Sequence, residues 1–289
     1  MRYYLDSSTL FIHGSFRAAS TGSSGGIRSV SAILCHTSED AKGPDREKIL
    51  GIAAARAGIG GDWFGILTTI PVSHACVLQY DFITVFIVAG IHRGPSGDPG
   101  ITIVVCSNEG MSDSALLETI MVATEAKAEA LMALDLPLSG TPADAVIVAS
   151  EGEEGHYTGS RGSEAGKRIR EAVLHGIPQA LARHDTGVVS ENPAFFIYSR
   201  LKEEHWIAWS PKNCPYYPCH FREQSCDFCY CPFYPCREED LGQWVDSAGK
   251  GKIWNCSHCN LLHKPEVTPY LHQFPGASLK ELKNLRKKQ

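Results

Sequence analysis

Eight of the eleven cysteines in this chain, Cys214, Cys219, Cys226, Cys229, Cys231, Cys236, Cys256 and Cys259, fall within 46 residues, spaced C-x4-C-x6-C-x2-C-x-C-x4-C-x19-C-x2-C. A segment this short buries little apolar surface, so the thiols must supply its cross-links. In a reducing compartment crowded thiols bind metal in preference to pairing as disulfides. The C-x2-C pairs at Cys226/Cys229 and Cys256/Cys259 are two-ligand knuckles of structural zinc, and eight thiols match two closed four-thiolate sites. Two structural zinc ions are the expectation, with His220, His258 and His263 as alternative ligands and an iron–sulfur cluster as the alternative occupant. The interleaved aromatics, among them Tyr216, Tyr217, Phe228 and Phe233, read as a shield for the metal rather than a stacking platform for bases. Closed sites leave no coordination position for a catalytic water, so any chemistry lies elsewhere in the chain.

The remainder of the 289 residues, 43% hydrophobic and 20% charged overall, is long enough for one sizeable core. Three segments are expected: a core domain over 1–198, the cysteine-rich zinc-binding domain over 199–272 and a basic tail over 273–289. Residues 1–200 carry net −7 and the rest +2, which does not advertise a nucleic-acid partner. The opening MRYYLDSSTLFIHGS shows no secretory signal, and the longest apolar run, residues 82–91, is too short to span a bilayer. A cytoplasmic protein with no membrane or nucleic-acid partner is expected, with self-association left open. Cys35, Cys76 and Cys106 lie in apolar or strand-like settings and read as inert core thiols.

Strands are predicted over residues 3–5, 10–13, 30–36, 64–69, 75–78, 83–91, 101–106 and 145–149, and helices over 45–57, 112–134 and 163–182. Strands in runs followed by long helices give an α+β fold class: a mixed or antiparallel sheet layered with helices, plus the small cysteine-rich metal-binding domain. The aromatic-rich stretch after Asn192 reads as a joint between the two, and LKELKNLRKKQ as a frayed, solvated helix. Three features could carry chemistry. STGSSGGIRS, residues 20–29, offers paired glycines whose backbone can approach a ligand, though it is neither a dinucleotide fingerprint nor a P-loop. On the helix after Ser112, Lys127 falls within the apolar stripe while Glu118, Glu125 and Glu129 lie on another face. The strand DAVIVAS runs into a Gly-rich loop with His156, Tyr157 and Thr158 at its mouth, a common place for a binding site.

Taken in order, STGSSGGIRS, FGILTTI, VFIVAGI, ITIVVCSNEGMSDSALLETIMVATEAKAEAL, TPADAVIVASEGE and YTGSRGSEAGKRI resemble the adenosylcobinamide amidohydrolases of archaeal cobinamide salvage, over residues 8–180. The cysteine-rich segment is similar to a small zinc-finger-like domain found beside cobalamin-salvage proteins. The resemblance implies hydrolysis of the amide joining a corrin propionyl side chain to aminopropanol, with the cobalt corrinoid as substrate rather than cofactor. Amide hydrolysis needs an activated nucleophile, oxyanion donors and an acid for the leaving amine; Ser23 or Ser24 near His36 is the candidate for the nucleophile or positioned water, and Glu125 and Lys127 are the candidates for proton transfer. Gly25, Gly26, Arg28, Asp144, Tyr157 and Gly159 are the expected substrate contacts, the two glycines as oxyanion donors. Three turns depart from the family's pattern: Ser24 stands where an Asn precedes the glycines, Ile91-His92-Arg93 follows Gly90 in place of an Asn-bearing turn, and residues 138–144 read LSGTPAD. A corrinoid binder without hydrolytic activity, or a metal-module adaptor that docks on a partner protein, are the alternatives.

Overall fold

The structure, a computed structural model, describes the whole chain except residues 40, 42, 44, 92–98, 137–138, 187–192, 200–203, 210–216, 230, 248–250 and 287–289. It divides into two compact units: Leu5–Trp209, and Ser210–Gln289 together with Met1–Tyr4.

The larger unit is built on one mixed sheet. Its strands are β2 (Thr9–Ser20), β3 (Gly26–Thr37), β4 (Trp63–Thr68), β5 (Cys76–Tyr80), β6 (Ile83–Ile91), β7 (Pro99–Ser107), β9 (Ala145–Ser150), β11 (Ala194–Ser199) and β12 (His205–Ala208), following β1 (Arg2–Asp6). Along the sheet the order is β12-β11-β5-β6-β7-β9-β2-β3-β4. A short parallel pair, β8 (Gly110–Met111) with β10 (Glu154–His156), lies beside it. The helices are α1 (Arg46–Arg56), α2 (Asp113–Ala133) and α3 (Glu164–Asp185), the latter two opened by Ser112 and Ser163, whose hydroxyls accept from Ala115 N and Gly166 N. The α2 and α3 pair covers the central strands. Ile103, Val105, Val146 and Val148 on the sheet meet Leu116, Ala123, Ile169 and Val173 on the helices in one fully buried cluster.

The expectation of α+β layering holds. The segment expected as a joint instead extends the sheet: β11 pairs parallel with β5 and antiparallel with β12, and Phe196 enters the core. Cys35, Cys76 and Cys106 are buried, and burial pushes the Cys35 and Cys76 thiols up to about 12, as expected of inert core thiols.

The smaller unit contains the hairpin β13 (Gln243–Ser247) and β14 (Gly251–Asn255), with α4 (Val267–Gln273) and α5 (Leu279–Arg286). Its core gathers Phe233, Leu241, Leu261, Leu262, Val267 and Leu271, and Leu282 of α5 is fully buried among them. The C-terminal helix is therefore docked rather than frayed, because Leu279, Leu282 and Leu285 recur at helical spacing and face this core. Within the same unit Arg2 donates to the carbonyls of Gly276 and Pro275 and sits 4.7 Å from the Phe233 ring centroid, pinning the first residues.

Candidate active site at the turn end of the sheet

Strand direction decides which side chains can meet. β7 and β9 run parallel, and β6 and β2 run against them, with Gly90 opposite Gly100, Thr102 opposite Ala145 and Ser20 opposite Ile147. The same end of the sheet thus holds the β2–β3 turn, the C-terminal end of β6, the loop entering β9 and the start of β5. The opposite end carries the start of β2, the last residues of β3, and β8 with β10.

At the turn end, residues 20–26 fold as a compact turn held on several sides. Gly25 N–H donates to Gly22 O at 3.1 Å, and Gly22 N–H to the Ser20 hydroxyl at 3.1 Å. Ser24 has φ +53 and Gly26 φ +108. A Cβ on Gly25 would lie 2.4 Å from Ser20 O, so position 25 admits only glycine. The Ser24 hydroxyl donates to Glu47 of α1. Arg28 donates to Ser24 O at 2.8 Å and Trp63 O at 3.0 Å, with its guanidinium 4.0 Å from the Phe64 ring centroid. Arg28 is thus a clamp on the turn, and the Gly25 N–H expected to face an oxyanion is already committed within it.

Next along the same end, Lys127 and Asp144 form a buried ion pair at 2.6 Å, with side chains 6% and 11% exposed. Asp144 also accepts from Thr141 N–H (3.0 Å), the Thr141 hydroxyl (3.1 Å) and Ile101 N–H (3.0 Å). Four donors fill the carboxylate, so Lys127 and Asp144 brace the loop entering β9 and the start of β7 against α2. Glu125, two residues from Lys127, points to solvent from another face of the helix.

His36, Tyr157 and Gly159 lie at the opposite end. Ten residues of extended β3 separate His36 from Gly26, about 33 Å, and the His36 Nδ1 is 2.7 Å from the Thr9 hydroxyl. The structure therefore does not bring His36 to Ser23 or Ser24. Gly159 N–H donates to Glu118 at 2.8 Å, and a Cβ there would meet the Thr119 hydroxyl at 2.2 Å, so this glycine serves helix packing. Tyr157 is exposed beside His156, whose Nε2 is 2.5 Å from Glu109 and whose ring stacks on Phe82.

Sequence reasoning missed two histidines at the turn end. His74 precedes β5 and His184 lies in the last turn of α3, with ring centroids 5.7 Å apart. They are 110 residues apart and no local spacing signals them.

In the smaller unit the thiols gather without closing on a point. Backbone turns run from Cys229 N–H to Cys226 O and from Cys259 N–H to Cys256 O, the hydrogen bonds expected of knuckles. Gln224 donates from Nε2 to the sulfurs of both Cys219 and Cys226 at 3.2 Å. Burial pushes the Cys231 thiol up to about 12, and neighbouring Cys259, Cys236 and Cys256 add to the shift. Cys214 lies outside the described residues, and among the described residues no group of three or more His, Cys, Asp or Glu is placed to hold a metal ion. The chemistry of the donor set fits a thiophilic metal. Nδ1 of His263 is 2.6 Å from Ser225 O, which leaves Nε2 as the ring nitrogen that could face a metal.

The architecture defines an α+β body with the 20–26 turn and the loop entering β9 at one end of its sheet, followed by a compact cysteine-rich module. No helix among the described residues is long and apolar enough to cross a membrane. The chain belongs to the adenosylcobinamide amidohydrolase family, whose model matches residues 9–187, while residues 205–286 match the family described as a cysteine-rich small domain. An adenosylcobinamide amidohydrolase of Methanosarcina mazei is 35% identical over 198 residues, 63% of this chain and 98% of that protein. An uncharacterized protein of Methanocaldococcus jannaschii is 40% identical over 89 residues, 31% of this chain and 69% of its own length. A probable cobalt-factor III C(17)-methyltransferase of Methanothermobacter thermautotrophicus is 49% identical over 81 residues, 27% of this chain and 22% of its own.

Proposed function

We propose that this chain hydrolyses the amide joining a corrin propionyl side chain to aminopropanol in adenosylcobinamide, giving adenosylcobyric acid in a route to cobalamin. The observation that carries this is the match to the Methanosarcina mazei amidohydrolase across 98% of that protein's length. The similarity to a cobalt-factor methyltransferase supports the same metabolic context. A cobalt corrinoid is then the substrate and carries its own metal in. The turn of residues 20–26 and the loop braced by Asp144 are assigned to gripping that flat, amide-fringed guest. Ser23 and Ser24 are assigned to this grip: the Ser24 hydroxyl donates to Glu47, and His36 lies at the other end of the sheet. Incubating the purified chain with adenosylcobinamide and assaying free aminopropanol tests the reading. A spectral shift on binding with no aminopropanol released would instead support a non-catalytic corrinoid binder, and neither response would support an adaptor.

We further assign two structural zinc ions to the smaller unit. The mutual proximity of Cys231, Cys236, Cys256 and Cys259 supports one four-thiolate set. Cys219, Cys226 and Cys229, with Cys214, are left for the other. Bound zinc would supply cross-links to a module with a small core. Elemental analysis of the intact chain tests this: two zinc per chain supports it, and iron with labile sulfide refutes it. A reducing cytoplasm is the compartment that keeps such thiols available.

A further inference from the structure

His74 and His184 present an unexplained cost. The Nδ1 atoms of both rings are buried and have no hydrogen-bond partner among the described residues. An imidazole nitrogen stripped of water and left unpaired is destabilising, and such groups call for a reason. Two of them side by side, with rings 5.7 Å apart, are harder to explain as packing than one would be.

Their position supplies the reason. His184 lies over the end of β6: a Cβ on Gly90 would be 2.6 Å from its Cδ2 and 2.7 Å from Ile70 Cδ1. Gly90 is glycine because an imidazole occupies the space above it. From β6 to β2 the sheet crosses β7 and β9, three strand spacings or about 14 Å, so the histidines, the Lys127–Asp144 brace and the 20–26 turn form one row along the turn end. A wide macrocycle held by the glycine turn and the braced loop would reach the histidine end with its periphery, where its side-chain amides are.

We infer that His74 and His184 are the proton-transfer pair of the amide hydrolysis, an assignment that rests on the amidohydrolase reading above. Water oxygen forms a bond to the amide carbonyl carbon and gives a proton to one imidazole. The carbon–nitrogen bond then breaks, its electron pair staying on nitrogen, and an imidazolium returns a proton to the departing amine. The products are a carboxylate and a protonated aminopropanol, so one water is consumed and no oxidant or reductant is needed. His74 suits the role of base. Burial, then the neighbouring His184 and Arg183 of α3, hold its pKa below the ordinary imidazole value, so it is neutral at neutral pH. Cys76 of β5 is another titratable group near Arg183, and burial keeps it a thiol.

The test uses the intact chain and adenosylcobinamide, with His74→Gln and His184→Gln made singly. Each variant is expected to lose at least 100-fold in kcat, the usual worth of a positioned acid or base, while binding the corrinoid within about threefold of the parent by spectral titration. The parent is expected to show an acid limb in its kcat–pH profile, and that limb is expected to disappear from residual His74→Gln activity. Parent-like kcat in both variants overturns the inference and leaves the amidohydrolase reading standing, whereas a parent chain that binds without cleaving overturns both. Should either variant fail to fold, histidine resonances followed by NMR in the parent decide: adenosylcobinamide must shift the His74 and His184 signals, and unmoved signals refute the assignment.

Discussion

Replacing Lys127 by Met tests whether the turn end is held by charge. At 2.6 Å the Lys127–Asp144 attraction is about 6 kcal/mol gross at an effective dielectric near 20, and desolvating two nearly buried groups offsets most of it. The pair adds little in net terms, yet breaking it from one side is costly. Lys127→Met leaves the Asp144 carboxylate with three neutral donors among the described residues, Thr141 N–H, the Thr141 hydroxyl and Ile101 N–H. The expected loss is about 3–5 kcal/mol, a large part of the roughly 5–15 kcal/mol that holds a domain together. At about 2–4 °C per kcal/mol for a unit of this size, Tm should fall by roughly 6–20 °C. Asp144→Asn added to Lys127→Met removes the stranded charge and keeps an acceptor for Ile101 N–H, so the double variant should recover about 1–3 kcal/mol relative to the sum of the singles. The assay is urea unfolding followed by circular dichroism for the parent, both singles and the double. A Lys127→Met loss below about 1 kcal/mol, or strict additivity, would refute the view that a buried pair braces this loop.

Three further outcomes follow from the packing. Gly90→Ala drives a methyl into His184 and Ile70, and should cost about 1–3 kcal/mol by thermal melting while lowering kcat through displacement of His184. Leu282→Ala should destabilise the smaller unit by about 2–5 kcal/mol in denaturant titrations, since Leu282 is fully buried; a frayed tail would show no change. His36, His74 and His175 all have folded pKa values lowered, first by burial. Unfolding lets each bind a proton more readily, so their contribution to stability is present above about 6.5 and is lost as pH falls through their lowered folded values. Chemical denaturation midpoints should therefore decline below about pH 6.5, with His175→Gln flattening the slope.

The core strands and the long helices were legible because β-branched runs and capped, periodic segments announce themselves locally. The ends of β2 and β3 were not. Residues 20–29 read as a loop and 14–19 carry no strand prediction, because Gly14, Ala18, Ala19 and Ser20 have weak strand preference, but Ala18 and Ala19 are fully buried where β9 pairs against them. That extension reverses the reading of the site. Twelve residues separate Ser24 from His36 in sequence and suggest proximity, whereas an unbroken strand carries them to opposite ends of the sheet. Lys127 stands out by its place in an apolar stripe, but its buried partner Asp144 lies 17 positions further on, across a loop, and no local pattern links the two. The His74 and His184 pair depends on α3 crossing β5 and β6, a packing fact that no local pattern encodes.

The departure at Ser24 has a physical explanation that also makes a prediction. The φ of +53 places this residue in the left-handed region, where Asn is several-fold enriched among non-glycine residues. The position therefore asks first for a backbone conformation, and a short polar side chain that tolerates it serves. Ser24→Asn should keep the turn, since the amide can still donate to Glu47 in place of the hydroxyl. Stability should be unchanged or slightly higher and aminopropanol release retained. Ser24→Val offers neither the conformation nor the donor, and should cost about 1–2 kcal/mol for the left-handed backbone alone, weakening corrinoid binding as the turn loosens. A folded Ser24→Asn protein that binds adenosylcobinamide yet releases no aminopropanol would make the Ser24 hydroxyl itself a reacting group, and the role of the turn would then be chemical rather than conformational.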